Sequence, residues 1–190
     1  MYSRIIFLFL FTACFFACQK PGQDTVENIK FIEHFKNWEI VVPKAWKIDE
    51  NVKRKVTDIF LEGGKMPDHI RPIINVSSVA PKVRYNTKTQ VTEIVDQSLT
   101  EYANSLWAND EKALEGFKLI KREDISDDEV MRHFRFKDPK TTFILEGFTW
   151  LKKSEKRIYI ISCTALQKQF KEVERIFIKA AKSFKIKKPE

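Results

Sequence analysis

The hydrophobic pattern is clearest near the C-terminus, where it predicts a β-hairpin followed by a helix. Two apolar runs, 143–151 and 158–165, are rich in β-branched and aromatic residues and flank a charged stretch at 152–157, a pattern typical of paired strands. Apolar residues then recur at steps of three and four, which predicts a helix with one apolar stripe. The stripe consists of Leu166, Phe170, Val173, Ile176, Phe177, Ala180, Ala181 and Phe184.

Earlier in the chain, short apolar or alternating runs predict further strands. The first of them closes at Pro43, because proline has no N–H for a β-ladder and keeps the preceding residue extended. The last two form a hairpin that turns at Asp127 and Asp128, and the polar and apolar alternation at 132–137 predicts a half-exposed return strand. The segments that hold the predicted strands are 37–48, whose short strand closes at Pro43, and 56–61, 72–79, 117–125 and 130–137.

A second helix is predicted for residues 89–107, with Thr89 as its N-cap. Its apolar residues keep helical spacing over about four turns. They are Val91, Ile94, Val95, Leu99, Tyr102, Ala103, Leu106 and Trp107. Strands that dominate the chain, with two helices to cover them, predict an α+β domain built on an antiparallel sheet.

Composition agrees with one globular domain plus an N-terminal appendage. The chain has 190 residues, 43% of them hydrophobic and sixteen of them Phe, which is enough for a substantial core. Only five glycines occur, and the lack of low-complexity tracts excludes a disordered or fibrous protein. The four tryptophans and Cys163 are expected in the core, although a reactive thiol is the alternative for Cys163.

The N-terminus has the pattern of an export signal. A start containing Arg4 precedes an apolar stretch that is too short for a comfortable membrane span. The segments 11–14 and 15–18 both end in Ala-Cys and resemble the lipobox of bacterial lipoproteins, which implies lipid on the cysteine and cleavage before it. Cys18 is the expected acylation site, because a polar stretch follows it directly; Cys14 is the alternative.

Cleavage before Cys18 would divide the chain into three parts: a signal peptide at 1–17, an acylated cysteine with a tether at 18–30, and a globular domain at 31–190. The resemblance implies a membrane partner through the lipid and a place in the bacterial envelope. The positions after Cys18 hold Gln19 and Lys20, and neither is the acidic residue that retains some lipoproteins at the inner membrane. The expected location is therefore the outer membrane, facing the periplasm.

Two short motifs resemble the Mog1/PsbP-like superfamily. The segment Pro43, Lys44, Ala45, Trp46 follows the first predicted strand, as in the Pro-x-x-Trp opening of that superfamily, and Ser183–Phe184 resembles its C-terminal close. The resemblance covers about residues 35–186. It implies an antiparallel sheet flanked by helices, and a role in binding or stabilising protein partners in place of catalysis.

No pattern indicates a catalytic, cofactor or metal site. His34, His69 and His133 are far apart in sequence and are expected on the surface or in loops. Residues 62–65 lack the spacing of a phosphate loop and indicate a turn. Five carboxylates within 123–129 lack the alternation and the glycine of a calcium loop, so a solvated turn is expected.

Basic residues exceed acidic ones, giving a formal charge of +8, which falls to +7 if Arg4 is removed with the signal peptide. Attraction to anionic lipid or wall polymer is one interpretation, and a like-charged soluble surface is the other. Nucleic acid is not an expected partner at an envelope address. We therefore expect a non-catalytic protein-binding or assembly module, with a small-ligand or ion-binding protein as the alternative. A hydrolase would need His133 beside the acidic turn at 123–129.

Overall fold

The computed structural model describes residues 27–187, except 36, 62–69, 81–82, 89, 95–96 and 156. The predicted signal peptide, Cys14, Cys18, His69 and Thr89 lie outside these residues. Among the described residues, no helix has the length and apolar character of a membrane span. The elements are β1 Asn28–Ile32, β2 Trp38–Pro43, β3 Trp46–Asn51, β4 Val56–Leu61, β5 Ile73–Val79, β6 Val83–Asn86, β7 Val91–Ile94, α1 Leu99–Ala113, β8 Lys118–Ser126, β9 Glu129–Lys137, β10 Ile144–Lys153, β11 Ile158–Leu166, α2 Gln167–Ser183 and β12 Lys185–Ile186.

A seven-stranded antiparallel sheet dominates the domain, with the strand order β3-β4-β5-β11-β10-β9-β8. The predicted C-terminal hairpin lies near its middle, where Trp150 of β10 faces Ile161 of β11. A three-stranded sheet, β1-β2-β12, and the pair β6-β7 complete the strands of the described residues. The α+β prediction with a large antiparallel sheet is confirmed.

Helix α2 fills the space between the two larger sheets. Its apolar stripe is buried at Phe170, Val173, Phe177, Ala180 and Ala181, within a core that contains side chains of β2 as well as of β10 and β11. This stripe agrees with the predicted one because a helix with a single apolar face gains most by burying that face.

The C-terminal end of α2 is fixed to β2. Ser183 Oγ accepts a hydrogen bond from the Val41 N–H at 2.8 Å and donates to the Ala180 carbonyl at 2.7 Å. The next residue, Phe184, is buried, and its ring centroid lies 5.3 Å from that of Trp38. The two residues that carried the C-terminal resemblance therefore join the helix to the small sheet.

Helix α1 covers the opposite face of the large sheet. Leu99, Ala103 and Trp107 pack in one cluster with Val130 and Leu151. The sequence neighbours of those two strand residues, Met131 and Trp150, belong to the core on the α2 side. Because successive side chains of a strand point to opposite faces, the sheet is sandwiched between the two helices.

The predicted start of α1 is wrong. The helix begins at Leu99, and Ser98 caps it: Ser98 Oγ accepts from the Glu101 N–H at 3.2 Å, and the Glu101 carboxylate accepts from the Ser98 N–H at 3.1 Å. This capping box satisfies two N–H groups at once. The residues Val91–Ile94 form β7 and pair with β6, and three of the four are β-branched, which favours a strand over a helix.

Two further predictions need correction. Strand β9 was expected to be half-exposed, but Val130, Met131, Arg132 and Phe134 are all buried, because α1 and α2 cover its two faces. Strand β1 begins at Asn28, inside the stretch assigned to the tether, and pairs with β2 along its whole length. Cys163 and all four tryptophans are buried, as expected.

Candidate functional site

A groove of about 300 Å³ opens at one end of the sandwich. Four separate segments line it: the β1–β2 turn, the β3–β4 turn, the end of β5 and the start of β11. It lies at the end opposite the β2–β3 turn, which Lys44 and Ala45 form. We call these the groove end and the Lys44 end. The lining residues are Glu33, Phe35, Asn37, Trp38, Glu50, Asn51, Val52, Lys55, Val56, Thr57, Ser78, Arg157 and Tyr159.

Hydrogen bonds fix the polar rim of the groove. The Glu33 carboxylate accepts from the backbone N–H of Asn37 at 3.1 Å, and the Glu50 carboxylate accepts from the backbone N–H of His34 at 2.8 Å. On the other side, Arg157 Nη1 donates to Ser78 Oγ at 3.3 Å. Both acids therefore hold the β1–β2 turn in place, which explains their position on the rim.

The floor of the groove is aromatic. Trp38 and Tyr159 are buried, and both rings contact Phe184, at centroid distances of 5.3 and 5.5 Å. Burial raises the pKa of the Tyr159 phenol; nearby Arg157 lowers the pKa and Glu33 raises it. The phenol therefore stays neutral at physiological pH and can donate or accept a hydrogen bond.

This arrangement has the size and the mixed lining of a small binding site. The volume lies at the lower limit of small-molecule sites, and the lining mixes charges of both signs with aromatic surface. The lining contains no nucleophile paired with a general base of the kind that covalent catalysis needs. In the part of the chain that the structure describes, no group of three or more His, Cys, Asp and Glu side chains could hold a metal ion.

His133 lies in a second polar cluster, on the α2 face of the sheet. Its Nε2 is 2.9 Å from Glu146 Oε1, and Arg135 Nη2 donates to Glu146 Oε2 at 2.7 Å. The imidazole also stacks on Phe170 of α2 at a centroid distance of 5.2 Å. The prediction of a surface or loop position is wrong for His133, because α2 covers it. His34, by contrast, is exposed in the β1–β2 turn, as expected.

The acidic turn does not meet His133. Asp127 and Asp128 are exposed in the turn between β8 and β9, as predicted, at the groove end. His133 is four residues along β9 from Glu129, which places the two about 13 Å apart. Glu129 is paired with Lys152, at 3.2 Å. Glu123, which lies closer to His133 along β8, is paired with Lys121, so the constellation that a hydrolase would need is not assembled here.

A third cluster surrounds a buried cation, Arg132. Only 3% of it is exposed, and its guanidinium bonds to Asp110 of α1 and lies over the rings of Trp107, Phe117 and Phe134. Burial lowers the pKa of Arg132, and the hydrogen bond to Asp110 opposes that shift. The cluster joins α1 to β9.

Sequence patterns miss the groove but contain a signal for Arg132. Val130, Phe134 and Phe136 share a strand face with Arg132, since residues two apart point the same way, so a cation stands in an apolar row. The groove residues come from segments that are far apart in sequence. Only the strand register brings Ser78 beside Tyr159, and no local motif encodes that.

Comparison with protein-family models gives no match, and comparison with curated proteins gives none. Solved structures do match. One is the solution structure of the cyanobacterial PsbP protein CyanoP from Synechocystis sp. PCC 6803, with a TM-score of 0.56 and 12% identity over 90% of this chain and 98% of that one. Another is a protein of unknown function from Pseudomonas aeruginosa, with a TM-score of 0.53 and 18% identity over 86% and 99% of the two chains.

Both similarities extend over nearly the full length of the matched structures. At these identities they bear on the fold alone. The element order, with a central antiparallel sheet between helices, agrees with the motifs at Pro43 and Phe184. The chain contains an α+β domain of the PsbP-like, or Mog1/PsbP, fold.

Proposed function

We propose that this protein is a bacterial envelope lipoprotein, anchored through Cys18, whose PsbP-like domain binds a protein partner and performs no catalysis. The observation that carries the binding role is the edge strand β8. It ends the order of the large sheet, and the register with β9 is interrupted twice, at Ile120 and at Ile125. Both isoleucines are exposed, Ile125 by 50%.

Bulges of this kind re-aim side chains and commonly occur at sheet edges. Here each bulge presents an isoleucine to solvent, and the first of them, Ile120, adjoins the further exposed apolar residue Leu119. An edge strand also offers unpaired N–H and C=O groups to an incoming extended segment. Bulges hinder the pairing of a full extra strand, so the combination suits a partner that packs its side chains on β8 and covers the two isoleucines.

Charged residues on β8 limit the choice of partner. Arg122 and Asp124 form an ion pair at 3.0 Å, and a second pair joins Lys121 to Glu123. Charges on an edge strand oppose pairing between identical strands, so they reduce self-association. They leave the edge open to a partner with complementary charges.

Photocrosslinking in the source cells tests this role. A photoreactive amino acid at position 120 or 125 should give one discrete crosslinked protein, and the same residue at Arg175, exposed on α2, should not. In the double variant Ile120→Ser, Ile125→Ser, a crosslinker at position 119 should lose that product with an unchanged melting temperature. The proposal fails if no product forms, or if position 175 yields the same protein.

The anchor has its own test. Replacing Cys18 with Ala should remove the acylated residue and move the protein from the membrane to the soluble fraction. Replacing Cys14 should leave it on the membrane. The reverse result would assign the lipid to Cys14, and retention of both variants would indicate an uncleaved anchor.

The groove favours a second candidate function, binding of a small polar ligand. Arg157, Ser78 and the neutral phenol of Tyr159 offer hydrogen-bonding groups beside aromatic surface, as ligand sites do. Native mass spectrometry of the protein purified from envelopes should then reveal a bound small molecule that the variant Arg157→Ala lacks. The bare protein mass for both forms would exclude this function.

A further inference from the structure

The described chain begins at the Lys44 end of the domain. The Lys44 N–H donates to the Glu27 carbonyl at 2.8 Å, and the Lys44 ammonium lies 3.0 Å from the Glu27 carboxylate. The next residue, Asn28, opens β1 and pairs with Pro43. Residue 27 is therefore held at the end of the sandwich that is farthest from the groove.

The distance from there to the expected lipid is short. Nine residues, 19–27, separate Cys18 from β1, and they span at most about 30 Å when fully extended. A domain of roughly 160 residues is about 40 Å across. A chain shorter than the domain it holds keeps the attached end towards the membrane and hinders the domain from turning over.

The Lys44 end also carries exposed apolar residues. Leu61 closes β4, Ile144 opens β10, and Phe143 precedes it; all three are exposed, Phe143 by 51%. The buried residue Ile70 packs on Leu145 of β10 beneath them. Aliphatic and aromatic side chains in this setting suit the boundary between lipid headgroups and acyl chains.

Cations lie at the same end of the domain. Lys118 at the start of β8, Lys140 in the β9–β10 connection and Lys168 in the first turn of α2 are all exposed. The acidic turn of Asp127 and Asp128 lies at the opposite end of the sheet. Each lysine near an anionic leaflet adds attraction. The groove end carries the acidic turn but also the exposed basic run 53–55, so the short tether and the apolar residues contribute more to the orientation than charge does.

We propose that the Lys44 end is a membrane-facing surface that lies against anionic lipid. We call it the basal surface and define it by Leu61, Phe143, Ile144, Lys118, Lys140 and Lys168. Phe143 and Ile144 enter the headgroup region, and the lysines contact lipid phosphates. The groove and the β8–β9 turn then point away from the bilayer. This inference rests on the proposed anchor at Cys18.

Fluorescence quenching on the full acylated protein tests the orientation. Cys163 is buried, so a cysteine introduced at the surface can be labelled selectively. Lys140→Cys places the label on the basal surface, and Lys53→Cys, in the exposed β3–β4 turn at the groove end, is the matched control. The proteins are reconstituted into vesicles of phosphatidylcholine and phosphatidylglycerol that carry a nitroxide on the lipid headgroup.

Loss of fluorescence is expected at position 140 and not at position 53. Adding Phe143→Ser and Ile144→Ser to the first variant should weaken that loss, and the melting temperature should stay the same because both residues are exposed. Equal quenching at both positions, or stronger quenching at 53, would overturn the orientation.

Two other results overturn the inference in distinguishable ways. Quenching at 140 that the serine pair leaves unchanged would mean that the tether alone brings this end close, without apolar contact. If the protein is not recovered with membranes at all, the proposed anchor at Cys18 is wrong, and the orientation that depends on it is wrong as well. The proposed binding role of β8 would survive each of these outcomes.

Discussion

Arg132 is a buried cation whose partner stands on another element and is partly open to water. Its own side chain is 3% exposed, whereas that of Asp110 is 32% exposed. In addition, Nε and Nη1 of Arg132 have no hydrogen-bond partner, and neither has the indole N–H of Trp107. A buried charge that is only partly compensated costs stability. Removal of one member of the ion pair should therefore change the free energy of unfolding by a different amount than removal of the other.

Removing Asp110 should therefore cost more than removing Arg132. The variant Asp110→Ala leaves a buried guanidinium without its counter-charge, and we expect a loss of about 3 kcal/mol in the free energy of unfolding. Arg132→Met keeps much of the volume and removes the buried charge, so its loss should be smaller. Urea unfolding at neutral pH measures both. A larger loss for Arg132→Met would contradict this account.

Tyr159 and Tyr102 link stability to alkaline pH. Burial is the main cause that raises the pKa of each phenol above 10.0. The folded state therefore retains the proton to higher pH than the unfolded state does, and stability falls as pH rises above about 10. Below that pH the two phenols add no pH dependence.

Urea unfolding between about pH 9 and 11 tests this linkage. The variants Tyr159→Phe and Tyr102→Phe should each lose stability less steeply than the parent protein over this range, because each lacks one phenol that the fold keeps neutral. Comparison with the parent cancels the contribution of the lysines. Parallel curves for all three proteins would show that the phenols titrate alike in the two states.

At the scale of elements, the two helices differ in how their starts are defined. Helix α2 has no side-chain cap at Leu166, and burial of its stripe fixes its position. Helix α1 begins with the capping box of Ser98 and Glu101. The start of α1 therefore depends on local hydrogen bonds, which a single substitution can remove.

The variant Ser98→Ala should lower stability by about 1 kcal/mol, because an N–H in the first turn loses its acceptor. Thr89→Ala is the control, since a helix that began at residue 89 would make Thr89 the sensitive position instead. Thermal unfolding monitored by circular dichroism measures both changes. A greater effect at Thr89 would support the longer helix that the sequence pattern predicts from residue 89.

The sequence predicts elements well where one periodicity is unambiguous. The stripe from Phe170 to Phe184 fits a helix alone, and the runs in β10 and β11 fit strands alone. The residues Val91–Ile94 fit both, and pairing with β6 decides between them, which is a tertiary contact that local pattern does not encode. The motif Ser98-x-x-Glu101 was a readable signal for the true start of α1.

At the scale of the whole molecule, sequence patterns predict the fold class but not the groove. The fold class follows from hydrophobic periodicity and the motifs at Pro43 and Phe184. The groove forms where the ends of β1, β3 and β5 meet the start of β11. A long stretch of chain separates β11 from the other three strands. The side chains that meet there form no recognisable motif in the sequence, because only the strand register places them together.

Cys163 reports on the cooperativity of this assembly. It is fully buried at the centre of the large sheet, and burial raises the pKa of its thiol, which suppresses the reactive thiolate. Modification by a thiol reagent should therefore need global unfolding. We expect the rate to rise with urea in parallel with global unfolding, with Cys163→Ala as the blank. Fast modification of the native protein would reveal a local opening of β11.

The small sheet joins the two ends of the described chain. Its middle strand, β2, pairs with β1 on one side and with β12 on the other. Trp38 of β2 therefore has its register partner in Ile186 of β12. Synthesis proceeds from the N-terminus, so β2 lacks both α2 and β12 until residues 167–186 have been made. We therefore expect the core around Trp38 to close only after α2 and β12 have been synthesised.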